Sequence, residues 1–296
     1  MEKDISNRKL GQKKHKCRIC GEEGFFQSYL AREMMKETRD EFEYFECASC
    51  HCLQISEVPD DLGYYYGDEY FSMVGHGDSE AIFEQPVTDS TKILDVGCGI
   101  GEWLHEMAEQ GHDNLYGCDP FLNKDIEYGD RVQIKKADIT ELDGDGSFDV
   151  IRMWNSFEHV TNPEEVLEKA TQLLKDDGYI WMAIPIYPNI AFDMFETHWY
   201  QLDAPRHIFL YSVKSVKLLA DKCGLSISKI EFDSDPRQII VSFFYQHNVF
   251  YNRINRELVE KYFSDDDIGR MLELCSEANN NHIGDHAMVW FSKKKG

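Results

Sequence analysis

Residues 93–104 read ILDVGCGIGEWL. A short apolar strand runs into glycines at 97, 99 and 101, and a helix is expected over about 101–110. A strand that turns through close-set glycines into a helix is a nucleotide-binding turn. Dinucleotide sites use GxGxxG, whose third glycine lets the helix pack tightly on the strand. Here the spacing is Gly97-x-Gly99-x-Gly101, and Glu102 comes next. Asp95 stands two places before the first glycine. A pyrophosphate is repelled by that carboxylate, whereas an ammonium group is attracted to it. The charge therefore favours an adenosine ligand with an amino-acid end over NAD.

Strand and helix patterns alternate outward from this turn, which implies parallel strands covered by helices. Strands are expected at 92–96, 115–119, 132–138, 148–154 and 179–185. The stretch NPEEVLEKATQLLKDDG reads as a helix capped by Asn162, with Pro163 in its first turn and Gly178 at its end. A helix at 212–223, a strand at 226–232 and a last strand at 286–293 follow; 250–280 looks helical. DGDGSFD at 143–149 starts like a calcium loop, but its twelfth position is Trp154, where a glutamate is needed; it reads as a turn.

Acidic residues close two of these strands. Asp119 suits ribose hydroxyls, and Asp138, with Ile139 beside it, suits an adenine amine and ring face. MWNSFEHV, which contains Asn155, closes the site after the next strand. The run from ILDVGCGIGEWL through GCDP and ADI to FDVIRMWNSFEHV resembles the class I S-adenosylmethionine-dependent methyltransferases over roughly 90–232. The resemblance implies an α/β, Rossmann-like seven-stranded sheet with an antiparallel last strand. It implies S-adenosylmethionine as cofactor, held by Asp95, Gly97, Gly99, Gly101, Asp119, Asp138, Ile139 and Asn155.

Cys17-Arg-Ile-Cys20 and Cys47-Ala-Ser-Cys50 are two CxxC pairs, the pattern of a four-thiolate structural zinc site in a small ribbon-like module. A module of about 40 residues builds little core without such a staple. Cys47-Ala-Ser-Cys50-His51 also has the form of a haem attachment site, which would need export, and a redox CxxC would need a βαβ setting. His51 or Cys52 is an alternative fourth ligand, and Cys98, Cys118, Cys223 and Cys275 read as buried bystanders.

The 296 residues are 42% hydrophobic and 29% charged, an ordinary globular balance, with a formal net charge of −23. That charge opposes binding to nucleic acid. No run is apolar enough to span a membrane and the N-terminus is no secretory signal, so the expected location is the cytoplasm. The expected organisation is a flexible leader (1–16), a zinc module (17–58), an aromatic connector (59–88) and a methyltransferase domain (89–296) with an insertion near 186–211. The lysine-rich ends read as solvated tails.

The substrate side is expected outside the carboxyl ends of the strands. The insertion carries Trp199-Tyr-Gln-Leu-Asp203-Ala-Pro205-Arg206-His207, which resembles the W…D.PRH segment of methyltransferases from polysaccharide and natural-product gene clusters. That resemblance implies O-methylation of a sugar, a nucleotide-linked sugar or a related small metabolite; C- or N-methylation and a partner-binding scaffold are the alternatives. A hydroxyl acceptor benefits from a base titrating near neutrality. His207 is the first candidate, oriented by Asp203 or Glu158, and His159 the second. Arg206 is a candidate for an anionic group or for a salt bridge to Asp203. Tyr64, Tyr65, Tyr66 and Tyr70 either form a lid over the cofactor or pack the connector.

Overall fold

The computed structural model describes residues 8–66 and 87–295. Its first part holds β1 (Lys9–Lys16), β2 (Glu23–Arg32), β3 (Glu41–Glu46) and β4 (Leu53–Ile55). The glycine-turn region follows with β5 (Ile93–Val96), α1 (Glu102–Glu109), β6 (Leu115–Cys118), β7 (Ile126–Tyr128) and β8 (Val132–Lys135). Next come β9 (Phe148–Trp154), α2 (Pro163–Leu173) and β10 (Leu174–Pro185), then α3 (Ile190–Phe195), β11 (Phe209–Leu210) and α4 (Val213–Lys222). The chain ends with β12 (Leu225–Phe232), α5 (Pro236–Gln246), α6 (Arg256–Tyr262), α7 (Asp265–Asn280) and β13 (His286–Lys293).

Two sheets result, one of five strands in the order β1-β2-β3-β4-β11 and one of eight in the order β12-β13-β10-β9-β5-β6-β8-β7. The first is antiparallel throughout. In the second, β10, β9, β5, β6 and β8 run parallel. The chain forms two compact units. One contains Met1–Tyr65, Ile184–Leu218 and Glu231–Met288; the other contains Tyr66–Ala183, Leu219–Ile230 and Val289–Gly296.

Central parallel strands are covered on both faces, so they carry apolar residues without alternation. β5 is buried at all four positions and most of β10 is buried too, with Ile180, Met182, Ala183 and Ile184 fully so. β12 and β13 bond through the pairs 224/294, 226/292 and 228/290, whose opposing progression makes them antiparallel, as expected of the last strand. The expected seven strands become eight because 126–128 folds back antiparallel on β8 as β7, too short to show a period.

Three other expectations are corrected. The leader over 1–16 is a strand from Lys9 onward: its side chains point almost wholly to solvent while its backbone pairs with β2. Lysines on an edge strand discourage pairing with other chains, and they also disguise the strand as a tail. Residues 1–7 lie outside those described. Secondly, α2 stops at Leu173 and Asn162 makes no side-chain cap bond. Gly178 lies inside β10, where it permits a close approach: a Cβ there would come within 2.7 Å of the Asp149 carbonyl oxygen. Thirdly, residues 236–246 form an unexpected helix, α5, started by Asp235 accepting from Arg237 N and by Pro236.

Replacing Gly178 by Ala should therefore destabilise the fold by about 1–3 kcal/mol, because the offending atoms are mostly backbone and cannot move aside. Urea unfolding should show a lower midpoint with an unchanged slope.

Candidate active site and metal centre

The glycine turn is built from backbone conformations that side chains resist. Gly97, Gly99 and Gly101 have φ of 73°, 53° and 79°. A Cβ on Gly97 would sit 2.5 Å from Ser156 Cβ, and one on Gly101 would sit 2.0 Å from Ile134 Cδ1. Gly101 thus gives the close helix–strand packing that dinucleotide sites obtain from their third glycine. Neighbouring strands hold the loop. Gly97 N donates to Cys118 O (2.8 Å), Ser156 Oγ to Val96 O (2.8 Å) and Tyr128 Oη to Ile100 O (2.9 Å).

Asp119 is buried, and burial pushes its carboxyl above the usual range. Its Oδ2 accepts from Gly99 N (3.0 Å) and its Oδ1 from Phe121 N (2.8 Å). It fixes the turn, and two oxygens with about four lone-pair sites retain capacity for hydroxyl donors. Asp138 caps a short 3-10 turn, its Oδ1 accepting from Thr140 N and Thr140 Oγ1, and Ile139 beside it is buried. Asn155 is exposed, has φ +46° and donates its backbone N–H to Ala183 O (2.9 Å). A non-glycine residue in the left-handed region stores strain, a common feature of ligand sites.

Asp95 requires a correction. The expectation was a carboxylate waiting for an ammonium group. Instead Arg152, its register partner on β9, donates Nη1 to both Asp95 oxygens at 2.9 Å, and both side chains are buried. Burial pushes the Asp95 carboxyl up, and the guanidinium opposes that shift. The negative charge read from the sequence is thus neutralised in the fold.

His159 follows β9 on a short 3-10 turn and is half-buried. Its Nδ1 lies 3.1 Å from Tyr66 Oη, and the Tyr66 ring stacks on Phe121 at 5.0 Å. Tyr64 and Tyr65 pack in the other unit, the first under Lys36 Nζ and the second donating to Asp40. Tyr70 lies outside the described residues.

His207 is 5% exposed. Its Nδ1 donates to Gln201 O at 2.6 Å, and its Nε2 is 3.8 Å from Asp203 Oδ2. Burial lowers its proton affinity, so it is neutral at pH 7. Arg206 is also buried: it donates to both Asp203 oxygens, to Glu33 Oε1 (3.1 Å) and to Tyr65 O (3.0 Å). Those partners take up the guanidinium, so the salt-bridge reading of Arg206 stands and the anion-binding one does not. Glu33 is wholly buried and also accepts from Met35 N, Lys36 N and Thr38 N, which shapes the loop between β2 and β3.

The four paired cysteines converge. Cys17 Sγ is 3.6 Å from Cys50 Sγ and Cys20 Sγ is 3.5 Å from Cys47 Sγ, and all four ligand atoms lie within 4.8 Å of one another. Tetrahedral thiolates at about 2.3 Å from a zinc are roughly 3.8 Å apart, so the donor set fits that ion. Cys17 is pulled down to about 4 by its hydrogen bond with Cys50, while burial pushes Cys47 up to about 11; a metal bound by such a set takes it as thiolates and releases the thiol protons. Each CxxC is followed by a residue at positive φ, Gly21 (78°) and His51 (58°). His51 is that turn residue and faces Glu46 at 3.5 Å; Cys52 is buried with Sγ against Leu53 O. Neither belongs to the cluster.

Arg152, Ser156, Tyr128 and Glu33 escaped the sequence reading. Each acts through a partner at least 28 residues away, and only an acidic or basic residue inside an apolar strand, as Arg152 is, leaves a visible signal.

A family model for a methyltransferase domain matches residues 75–230, more than half of the chain. A ubiquinone biosynthesis O-methyltransferase of Dechloromonas aromatica is 31% identical over 103 residues, covering 31% of this chain and 43% of that protein. A sterol 24-C-methyltransferase of Yarrowia lipolytica is 24% identical over 185 residues, covering 56% and 45%. The chain thus spans less than half the length of these curated relatives. A solved complex between the Haloferax volcanii Trm112 methyltransferase activator and a methyltransferase aligns at 16% identity. It covers 72% of this chain and 86% of that chain, with a TM-score of 0.49.

The lowered proton affinity of His207 has a sign that can be measured. Below the unfolded value of about 6.5 the unfolded chain binds a proton that the folded chain refuses, so stability falls as the pH drops through that window. Thermal melts from pH 7.5 to 5 should show this loss, and His207→Asn, which keeps a donor toward Gln201 O, should flatten it.

Proposed function

The chain belongs to the methyltransferase-domain family, and on that premise we propose that it transfers a methyl group from S-adenosylmethionine to a hydroxyl of a small acceptor. The glycine turn carries this reading: three glycines at positive φ, with Gly99 N bonded to the acidic end of the next strand. The cofactor supplies an electrophilic methyl on a sulfonium. Gly97, Gly99 and Gly101 shape the tight turn that faces its amino-acid end, Asp119 accepts from its ribose hydroxyls, and Asp138, Ile139 and Asn155 line its adenine side.

His159 is the better-placed base of the two histidines, being half-buried while His207 is 5% exposed. In the tautomer that places its Nδ1–H toward Tyr66 Oη, Nε2 is the basic nitrogen that takes the acceptor's proton. His207 acts as a neutral strut: its carbonyl accepts from Tyr44 Oη at 2.8 Å, and its ring bonds Gln201 O. The likeness of Trp199–His207 to the W…D.PRH segment supports a carbohydrate-like acceptor. The sterol C-methyltransferase relative supports a carbon acceptor as second reading. The Cys17, Cys20, Cys47 and Cys50 cluster holds one structural zinc. No helix among the described residues is long and apolar enough to cross a membrane.

Calorimetry with S-adenosylmethionine should show one site per chain; no heat of binding overturns the cofactor. His159→Ala should leave that affinity unchanged and lower kcat by about 100-fold or more. An undiminished kcat removes His159 from the chemistry. Metal analysis should find one zinc per chain, with Cys20→Ser losing it and melting earlier.

A further inference from the structure

Arg152 is held in an unusual way. Its guanidinium carbon lies 4.2 Å from the Trp103 ring centroid and 4.9 Å from that of Trp154, so indoles cover the cation. Both bonds to Asp95 come from Nη1 alone. Nε is buried and has no hydrogen-bond partner among the described residues. A guanidinium binds a carboxylate most strongly through two parallel N–H groups, and Nε with Nη2 forms such a fork. A buried donor left without an acceptor is costly, and that cost is removed when a ligand supplies the acceptor. The pair lies on adjacent strands, with Asp95 two residues before Gly97, at the foot of the glycine turn.

We propose that Arg152 is the recognition residue for the carboxylate of the cofactor's amino-acid end, and that Asp95 positions Arg152 rather than binding the ammonium group. This rests on the cofactor reading above and reverses the polarity that Asp95 suggested in the sequence. The aromatic walls exclude water from the cation, which strengthens its hold on an anion. Asp95 fixes the fork by engaging the one nitrogen that the fork does not use.

The test compares S-adenosylmethionine with its decarboxylated analogue, which lacks only the carboxylate, by calorimetry on the full chain. The wild type should bind the first at least about tenfold more tightly, the scale of a charge-assisted hydrogen-bonded pair. Arg152→Gln should bring the two affinities within about threefold by weakening only S-adenosylmethionine. Arg152→Gln leaves Asp95 without its partner, so the Asp95→Asn/Arg152→Gln double variant provides a folded alternative, checked by thermal melting. Asp95→Asn alone should keep a preference for the carboxylate. Equal binding of both compounds by the wild type, or an unchanged ratio in the Arg152 variants, overturns the assignment while the cofactor reading survives. Failure of both compounds to bind the wild type overturns the two together.

Discussion

The carboxylate of Asp95 and the guanidinium of Arg152 are buried side by side on adjacent strands, and the glycine-turn end of the large sheet is organised around that pairing. Neither charge could be buried alone without a cost of several kcal/mol. Together they set β5 against β9 in register, and Gly97 begins its left-handed turn two residues later. Trp103, from the first turn of α1, lies against the same guanidinium. One ion pair thus relates the strand, its neighbour and the helix that leaves the glycine turn.

The other unit repeats the device with one guanidinium between two carboxylates. Arg206 joins Glu33 from the cysteine-rich segment to Asp203 from the segment after β10, and all three are withdrawn from water. Pairs that far apart in sequence form only when the backbone is already placed, so they specify an arrangement more than they stabilise it. The cluster of Met34, Val241 and Tyr245 extends that arrangement to α5 by apolar packing. The four paired cysteines sit at the turns before β2 and β4 and bring those two turns together.

Legibility in the sequence followed the range of the interaction. The glycine turn, β9 and β13 were read within a residue or so, because strand alternation, apolar runs and close-set glycines are local signals. The convergence of Cys17, Cys20, Cys47 and Cys50 was legible because spacing alone announces a shared centre. β1 was missed because its lysines face solvent, and β7 because three residues show no period. Gly178 was misread because a glycine after a helix and a glycine inside a crowded strand look the same in one dimension.

The sequence by itself determined the α/β class, the turn that suits an adenosine ligand and the four-thiol centre, since each depends on residues close together along the chain. Only the tertiary structure decided where the charges act: Asp95 meets Arg152, Arg206 meets Glu33, and His207 lies buried while His159 meets Tyr66. A charged side chain does not carry its partner in its own identity. The partner is whichever group the packed backbone brings within about 3 Å, and that distance exists only in three dimensions.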